Sequence, residues 1–493
     1  MQFQSTRDPN TIVSSSEAIL RGLAPDGGLF VPTAFPKAEL EDWKSLSYPE
    51  LAQKVLAGFL TDYDPAFLGE AAAATYGDAF AGKAGYVQKV HDGLYSLELW
   101  HGPTCAFKDY ALQLMPKLLV QAKKNLGRTE TTRILVATSG DTGKAALAGY
   151  AGLPGIEIEV FYPDAGTSEI QRLQMATQAG DNVSVYAVNG NFDDAQTGVK
   201  KLFGDKSLEA LLESKGFQFS SANSINIGRL VPQIVYYVYA YARLLANEEI
   251  AGGEQINVVV PTGNFGNILA AYFAKRMGVP IKTLICASND NKVLYDFFTT
   301  GTYDRKRDFI LTNSPSMDIL ISSNLERLIY LSTGCDARAN KALMQDLSVK
   351  GSYTVTEDMR AFMSDFAGGF ATQEENAAAI KRIFDSTGYL IDTHTGVAAA
   401  VYGDYRAKSG DTAKTVIAST ASPYKFSDSV MEAIAGPESI RGKDGFEVVD
   451  ALSSLCGVDV PAAVEEIRHA PIRHNTECDV DKMEATVKAI LGI

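Results

Sequence analysis

Between about residues 93 and 420, short apolar runs alternate with stretches whose apolar positions recur at helical spacing. Ile134–Ala137, Ile156–Val160, Val183–Val188, Gln218–Ser220, Ile256–Val260, Lys282–Ala287 and Thr415–Ser419 predict strands. Ile156–Val160 alternates with Glu157 and Glu159, whereas Val258, Val259 and Val260 in a row predict burial on both faces. Helices are predicted after Gly143, over Leu230–Ala246 and from Gly266 through Lys275. This rhythm predicts an α/β fold with mainly parallel sheets. Residues 1–88 read as an N-terminal packing domain, with a Gly-rich turn at Ala24–Pro32. Residues 89–435 read as the core, with a smaller subdomain at about 130–235. Residues 436–493 read as a tail packed on the core, ending in an amphipathic helix over Asp481–Leu491.

Composition acts by exclusion. The 493 residues hold 45 basic and 59 acidic side chains, a net charge of −14, and show no basic stripe, so no nucleic acid partner is expected. The most apolar helix, Leu230–Ala246, contains Gln233 and Arg243 and falls short of the ~20 residues of a membrane span. The first residues lack the apolar stretch of a signal peptide, and five scattered cysteines without a CxxC pair fit a reducing compartment. A cytoplasmic globular enzyme or binding protein is expected.

The candidate chemistry lies where strands meet loops. Gly263-Asn264-Phe265-Gly266-Asn267 follows a buried strand and opens a helix, where unpaired N–H groups and the helix dipole attract an anion. A plain turn with a cap explains the same residues on local pattern. Thr138-Ser139-Gly140-Asp141-Thr142-Gly143 has the same form and would suit a carboxylate, although Asp141 is an acid in an anion-seeking loop. Asn223, Ser224 and Arg229 enter a third helix, with a guanidinium able to grip phosphate at two points. Lys108 follows a Gly-Pro turn and Phe107, and burial would lower its pKa toward that of a nucleophilic amine. Pro116 is expected to interrupt the helix beyond it. Cys105 has no base in place, and His469, His474 and Cys478 lack a fourth metal ligand; both sets read as structural.

His101–Asp109, Ala137–Gly143, Ser221–Asn226 with Arg229, and Pro261–Gly266 occur in the order found in threonine synthases. Gly22–Pro32, Asp392–Val397 and Ser419–Phe426 resemble the long microbial and fungal form of that family. The resemblance covers about residues 5–435. It implies a fold-type II pyridoxal 5'-phosphate enzyme: two open, mainly parallel α/β domains plus the N-terminal domain. It implies that Lys108 carries the cofactor covalently, that Gly263, Asn264, Phe265, Gly266 and Asn267 cradle its phosphate, and that Thr420 faces its pyridine nitrogen. It also implies that Ser139, Gly140, Asp141 and Thr142 hold a substrate carboxylate, and that Asn223, Ser224 and Arg229 hold a substrate phosphate. The implied substrate is O-phospho-L-homoserine, turned over by a monomer or homodimer. The rivals are a threonine synthase-like phospho-lyase releasing 2-oxobutyrate and a non-catalytic cofactor-binding homologue.

Overall fold

The computed structural model describes residues 1–163, 167–190 and 192–491. The valine run behaves as its pattern requires: every residue of the strand Ile256–Pro261 is buried. This strand is interior to a six-stranded sheet ordered Phe366–Phe370, Ile281–Ser288, Ile256–Pro261, Thr415–Ser419, Leu94–Glu98, Tyr86–His91. All its neighbours run parallel except the last pair, which forms an antiparallel hairpin. A second, wholly parallel sheet is ordered Thr476–Asp479, Val183–Asn189, Ile156–Pro163, Thr131–Ala137, Phe217–Ser220. Residues 3–32 supply a small antiparallel sheet of Ile12–Val13, Phe3–Ser5 and Phe30–Pro32.

Three departures from the sequence pattern have physical causes. The alternation at Ile156–Val160 suggests one wet face, yet Glu159 is buried. Arg133, on the neighbouring strand, reaches both Glu159 (2.8 Å) and Glu157. Burial still pushes the Glu159 carboxyl up to about 7, against the pull of Arg133. Pro116 begins a helix as much as it ends one. One short helix spans Asp109–Leu112, and Pro116 sits in the first turn of the next, Met115–Asn125, where its missing N–H costs nothing. The tail does more than pack on the core. Its helix Gly445–Cys456 lies on Ser427–Ala435, while Thr476–Asp479 adds a parallel strand to the five-stranded sheet. That strand is polar and mostly exposed, so no apolar run announces it.

The N-terminal residues are tied to the rest by buried polar contacts. Arg7 and Thr6 bind Glu326, Asn226 donates to the carbonyl of Ile19 at 3.0 Å, and Arg327 donates to the carbonyls of Phe30 and Ile225. These bonds brace the segment Ser221–Asn226 against residues 19–30.

Candidate active site

The carboxyl ends of Ile256–Pro261, Thr415–Ser419 and Thr131–Ala137 open onto one cavity of about 180 Å³. This is where open parallel sheets place their ligands. Of the residues singled out in the sequence, Lys108, Ser139, Thr142, Asn223, Ser224, Arg229, Gly263, Asn264, Phe265, Gly266, Asn267 and Thr420 line it. Gly140 and Asp141 stand behind the lining.

The Gly263–Asn267 segment is held by its surroundings more than by its own turn. A Cβ on Gly263 would lie 2.4 Å from the carbonyl oxygen of Ser316 and 3.3 Å from the Cα of Met317, so only glycine lets the two loops close. Ser322 donates to the carbonyl of Gly263 at 2.7 Å, and the Asn324 side chain to that of Asn264 at 2.9 Å. Phe265 adopts the left-handed conformation (φ 63°) immediately before the helix Gly266–Arg276. Asn267 accepts from the hydroxyls of Tyr236 (2.9 Å) and Tyr237, while its buried Nδ2 has no partner.

Lys108 is projected by a fastened turn. Asp109 accepts from the backbone N–H (2.8 Å) and hydroxyl (2.7 Å) of Thr104. The Lys108 amine is buried, donates to Ser316 Oγ at 3.0 Å and lies 3.5 Å from Asp141 Oδ2. Burial pushes it down to about 8; Asp141 opposes the shift, and Lys425 and Arg229 add to it.

Asp141 has an electrostatic role that its loop position conceals. Its carboxylate pairs with the fully buried Lys425 and accepts from Gln171 at 2.8 Å. Burial alone would raise its pKa, but Lys425 and Lys108 overrule burial and hold the group far below the usual carboxylate range. Its charge is therefore spent inside the protein. The loop itself is shaped by Thr138, whose hydroxyl accepts from the backbone N–H of Gly140 (3.0 Å) and Gly143 (2.9 Å).

Arg229 is 2% exposed. It donates through Nη1 to the carbonyl of Ala222 at 2.8 Å, and its buried Nε has no partner. Burial lowers its pKa to about 10, which leaves it cationic. It sits in the first turn of Ile227–Ala246, a helix that tolerates the internal Pro232. The side chain of Gln233 donates to the carbonyl of Arg229 at 2.6 Å, within that turn.

Four residues at the site carried no assigned role in the sequence. Ser316 and His394 line the cavity; Asp392 bonds His394 from behind, and Lys425 pairs with Asp141. His394 and Lys425 fall within two of the matching stretches, which was their only signal. Ser316, in the irregular segment after Ser314, gave none.

The core that brings the buried lysine and these strand-end loops together matches the class of pyridoxal-phosphate-dependent enzymes of the open α/β type. A family model described as "Pyridoxal-phosphate dependent enzyme" matches residues 87–421, and "Threonine synthase N terminus" matches residues 2–76. Threonine synthase of Saccharomyces cerevisiae is 37% identical over 467 residues, 88% of this chain and 89% of its own. The crystal structure of pyridoxal-phosphate-bound threonine synthase from Brucella melitensis superposes with a TM-score of 0.87 at 34% identity, covering 99% of this chain and 98% of that one. Human threonine synthase-like 1 is 41% identical over 434 residues, 85% of this chain; the chain spans only 58% of that longer relative. The chain belongs to the threonine synthase family.

Proposed function

We propose that the chain is a threonine synthase, converting O-phospho-L-homoserine and water to L-threonine and phosphate with pyridoxal 5'-phosphate held on Lys108. One observation carries the reading. A single cavity joins a buried lysine, the start of the helix Gly266–Arg276 and the buried Arg229 guanidinium, with which no carboxylate pairs among the described residues. A helix start attracts an anion, and a buried cation without a counter-charge is costly until an anion offsets it. Two phosphates, one from cofactor and one from substrate, suit those two places. The close approach at Gly263 and the left-handed Phe265 support the first of these sites, before the helix Gly266–Arg276.

The bound cofactor would supply an electron sink that acidifies the substrate's carbon–hydrogen bonds. The chain's own residues do the rest. Arg229, with Asn223 and Ser224, holds the substrate phosphate until it leaves. Ser139 and Thr142 face the cavity and would take the substrate carboxylate; Gly140 shapes that loop, and Asp141 serves as a counter-ion behind it. The Lys108 amine, with its pKa near 8, takes and returns protons at physiological pH. Thr420, buried at the end of Thr415–Ser419, offers a neutral hydroxyl to the cofactor ring.

The same reading divides the chain into residues 1–88, the core 89–435 with a subdomain at about 130–235, and the tail 436–493. It sets a monomer or homodimer in the cytoplasm. All five cysteines are free, and among the described residues no helix is long and apolar enough to cross a membrane. The test is to incubate the purified, cofactor-loaded chain with O-phosphohomoserine and identify the products. L-threonine with equimolar phosphate is expected. 2-Oxobutyrate alone would move the assignment to a phospho-lyase, and cofactor binding without turnover would leave a non-catalytic homologue.

A further inference from the structure

Behind Lys108 lies a polar arm that the proposed reaction does not by itself account for. The amine donates to Ser316 Oγ at 3.0 Å, and the Ser316 hydroxyl in turn donates to Asp141 Oδ2 at 3.4 Å. The backbone of Ser316 is fixed from the other side. Its N–H donates to His394 Nε2 at 3.2 Å, and His394 Nδ1 bonds Asp392 at 2.7 Å. Because Nε2 accepts, the ring proton sits on Nδ1 and points at Asp392. Asp392 caps the helix Thr393–Ser409, accepting from the N–H groups of His394 and Thr395, so the arm is anchored in a buried helix start.

We infer that Ser316, held in register by His394 and Asp392, is the positioning residue that keeps the Lys108 amine in one place through both of its protonation states. This deepens the proposed function and rests on Lys108 acting there as the proton carrier. The chemistry of the hydroxyl is the reason. An ammonium can only donate, and a neutral amine needs its lone pair oriented; the hydroxyl accepts from the first while donating to Asp141, and serves the second by turning its proton while its oxygen stays in place. A carboxylate in that place could do only the former, and would trap the proton. Asp141 illustrates the point: at 3.5 Å it attracts the ammonium, yet Lys425 shares its charge. The charged groups facing the amine are Asp141 from the helix Asp141–Tyr150, Lys425 from Pro423–Phe426 and Arg229 from Ile227–Ala246.

Without the hydroxyl, Asp141 loses a donor, and its carboxylate, 3.5 Å from the amine, favours the ammonium more strongly. The test therefore reads the titration of Lys108 directly, in the full-length chain stripped of cofactor. The probe is acetic anhydride, with the peptide containing Lys108 quantified by mass spectrometry from pH 6 to 11. Ser316→Ala is expected to move the labelling midpoint upward by half a pH unit or more, and Ser316→Thr to return it. His394→Gln, which can still accept from the Ser316 N–H, should resemble the parent, and His394→Leu should resemble Ser316→Ala. In the loaded enzyme, Ser316→Ala should lower kcat for O-phosphohomoserine about tenfold or more with KM changed less than threefold. An unchanged labelling midpoint in Ser316→Ala, or a loss confined to KM, overturns the inference. The labelling result needs no turnover, so it stands apart from whether the chain makes threonine.

Discussion

Replacing Arg229 by methionine separates a ligand-binding charge from a structural one. The guanidinium is 2% exposed, and among the described residues no carboxylate pairs with it. A buried charge in that condition burdens the fold by several kcal/mol. Methionine keeps the apolar stem and removes the charge. It also deletes the 2.8 Å bond to the Ala222 carbonyl, a loss of about 1 kcal/mol, smaller than the desolvation relieved. Arg229→Met should therefore match or exceed the parent in thermal stability. Catalysis should move the other way. A bound phosphate deprived of its buried cation loses about 2–5 kcal/mol, roughly 30- to 4000-fold in kcat/KM. The assay compares kcat/KM for O-phosphohomoserine with the slow elimination of L-serine, which has no phosphate, alongside thermal melting. Equal losses on the two substrates, or a melting temperature several degrees below the parent, would refute the reasoning and make Arg229 a brace.

Three further outcomes follow from the same geometry. Gly263→Ala must open a 2.4 Å contact by about 1 Å, an overpacking cost of about 1–3 kcal/mol, and should weaken cofactor binding at least tenfold in absorbance titrations; unchanged affinity would show that the two loops are free to part. The rate at which stripped protein attaches pyridoxal phosphate should rise with pH and level off above a midpoint near 8, because burial lowers the Lys108 amine from 10.5 and so enlarges its neutral, reactive fraction; a midpoint near 10 would mean an exposed lysine. Lys425→Met should destabilise the chain in urea by up to about 3–5 kcal/mol by leaving the buried Asp141 only the more distant Lys108 to offset its charge, and adding Asp141→Asn should restore most of that; no restoration would show that the pair is not the cause.

The strands that were legible owe it to a local pattern, whereas Tyr86–His91, Leu94–Glu98 and Phe366–Phe370 were not among those predicted. Thr415–Ser419 forms exactly over the predicted span, and Ile256–Val260 extends by only one residue. The loops that line the cavity were legible for a similar reason: glycine, asparagine and a helix start lie next to each other in the chain. What the pattern could not show is who stands behind whom. From its loop Asp141 reads only as an acid in an anion-seeking turn, and the resemblance places it with the substrate; its ion pair with Lys425, far along the chain, is visible only in the fold. Ser316 sits in a segment with no periodicity, and its importance exists only through the distance to Lys108. Roles of this kind belong to tertiary contacts, and no window of sequence contains both partners.

The strand contributed by the tail bears on how the chain must be made. Thr476–Asp479 covers the outer side of Val183–Asn189, pairing Thr476 with Tyr186 and Asp479 with Asn189, across a sequence separation of 290. Every residue lining the cavity precedes residue 421, so the catalytic parts are all synthesised well before this pairing forms. Until residue 479 emerges, one row of backbone N–H and C=O groups on Val183–Asn189 lies open, a template onto which another unfinished chain can add. Closing so long a loop is also slow compared with local contacts. A chain cut short between residues 421 and 476 would thus keep its complete set of cavity residues and lose the cover of its sheet edge, and its characteristic failure would be aggregation.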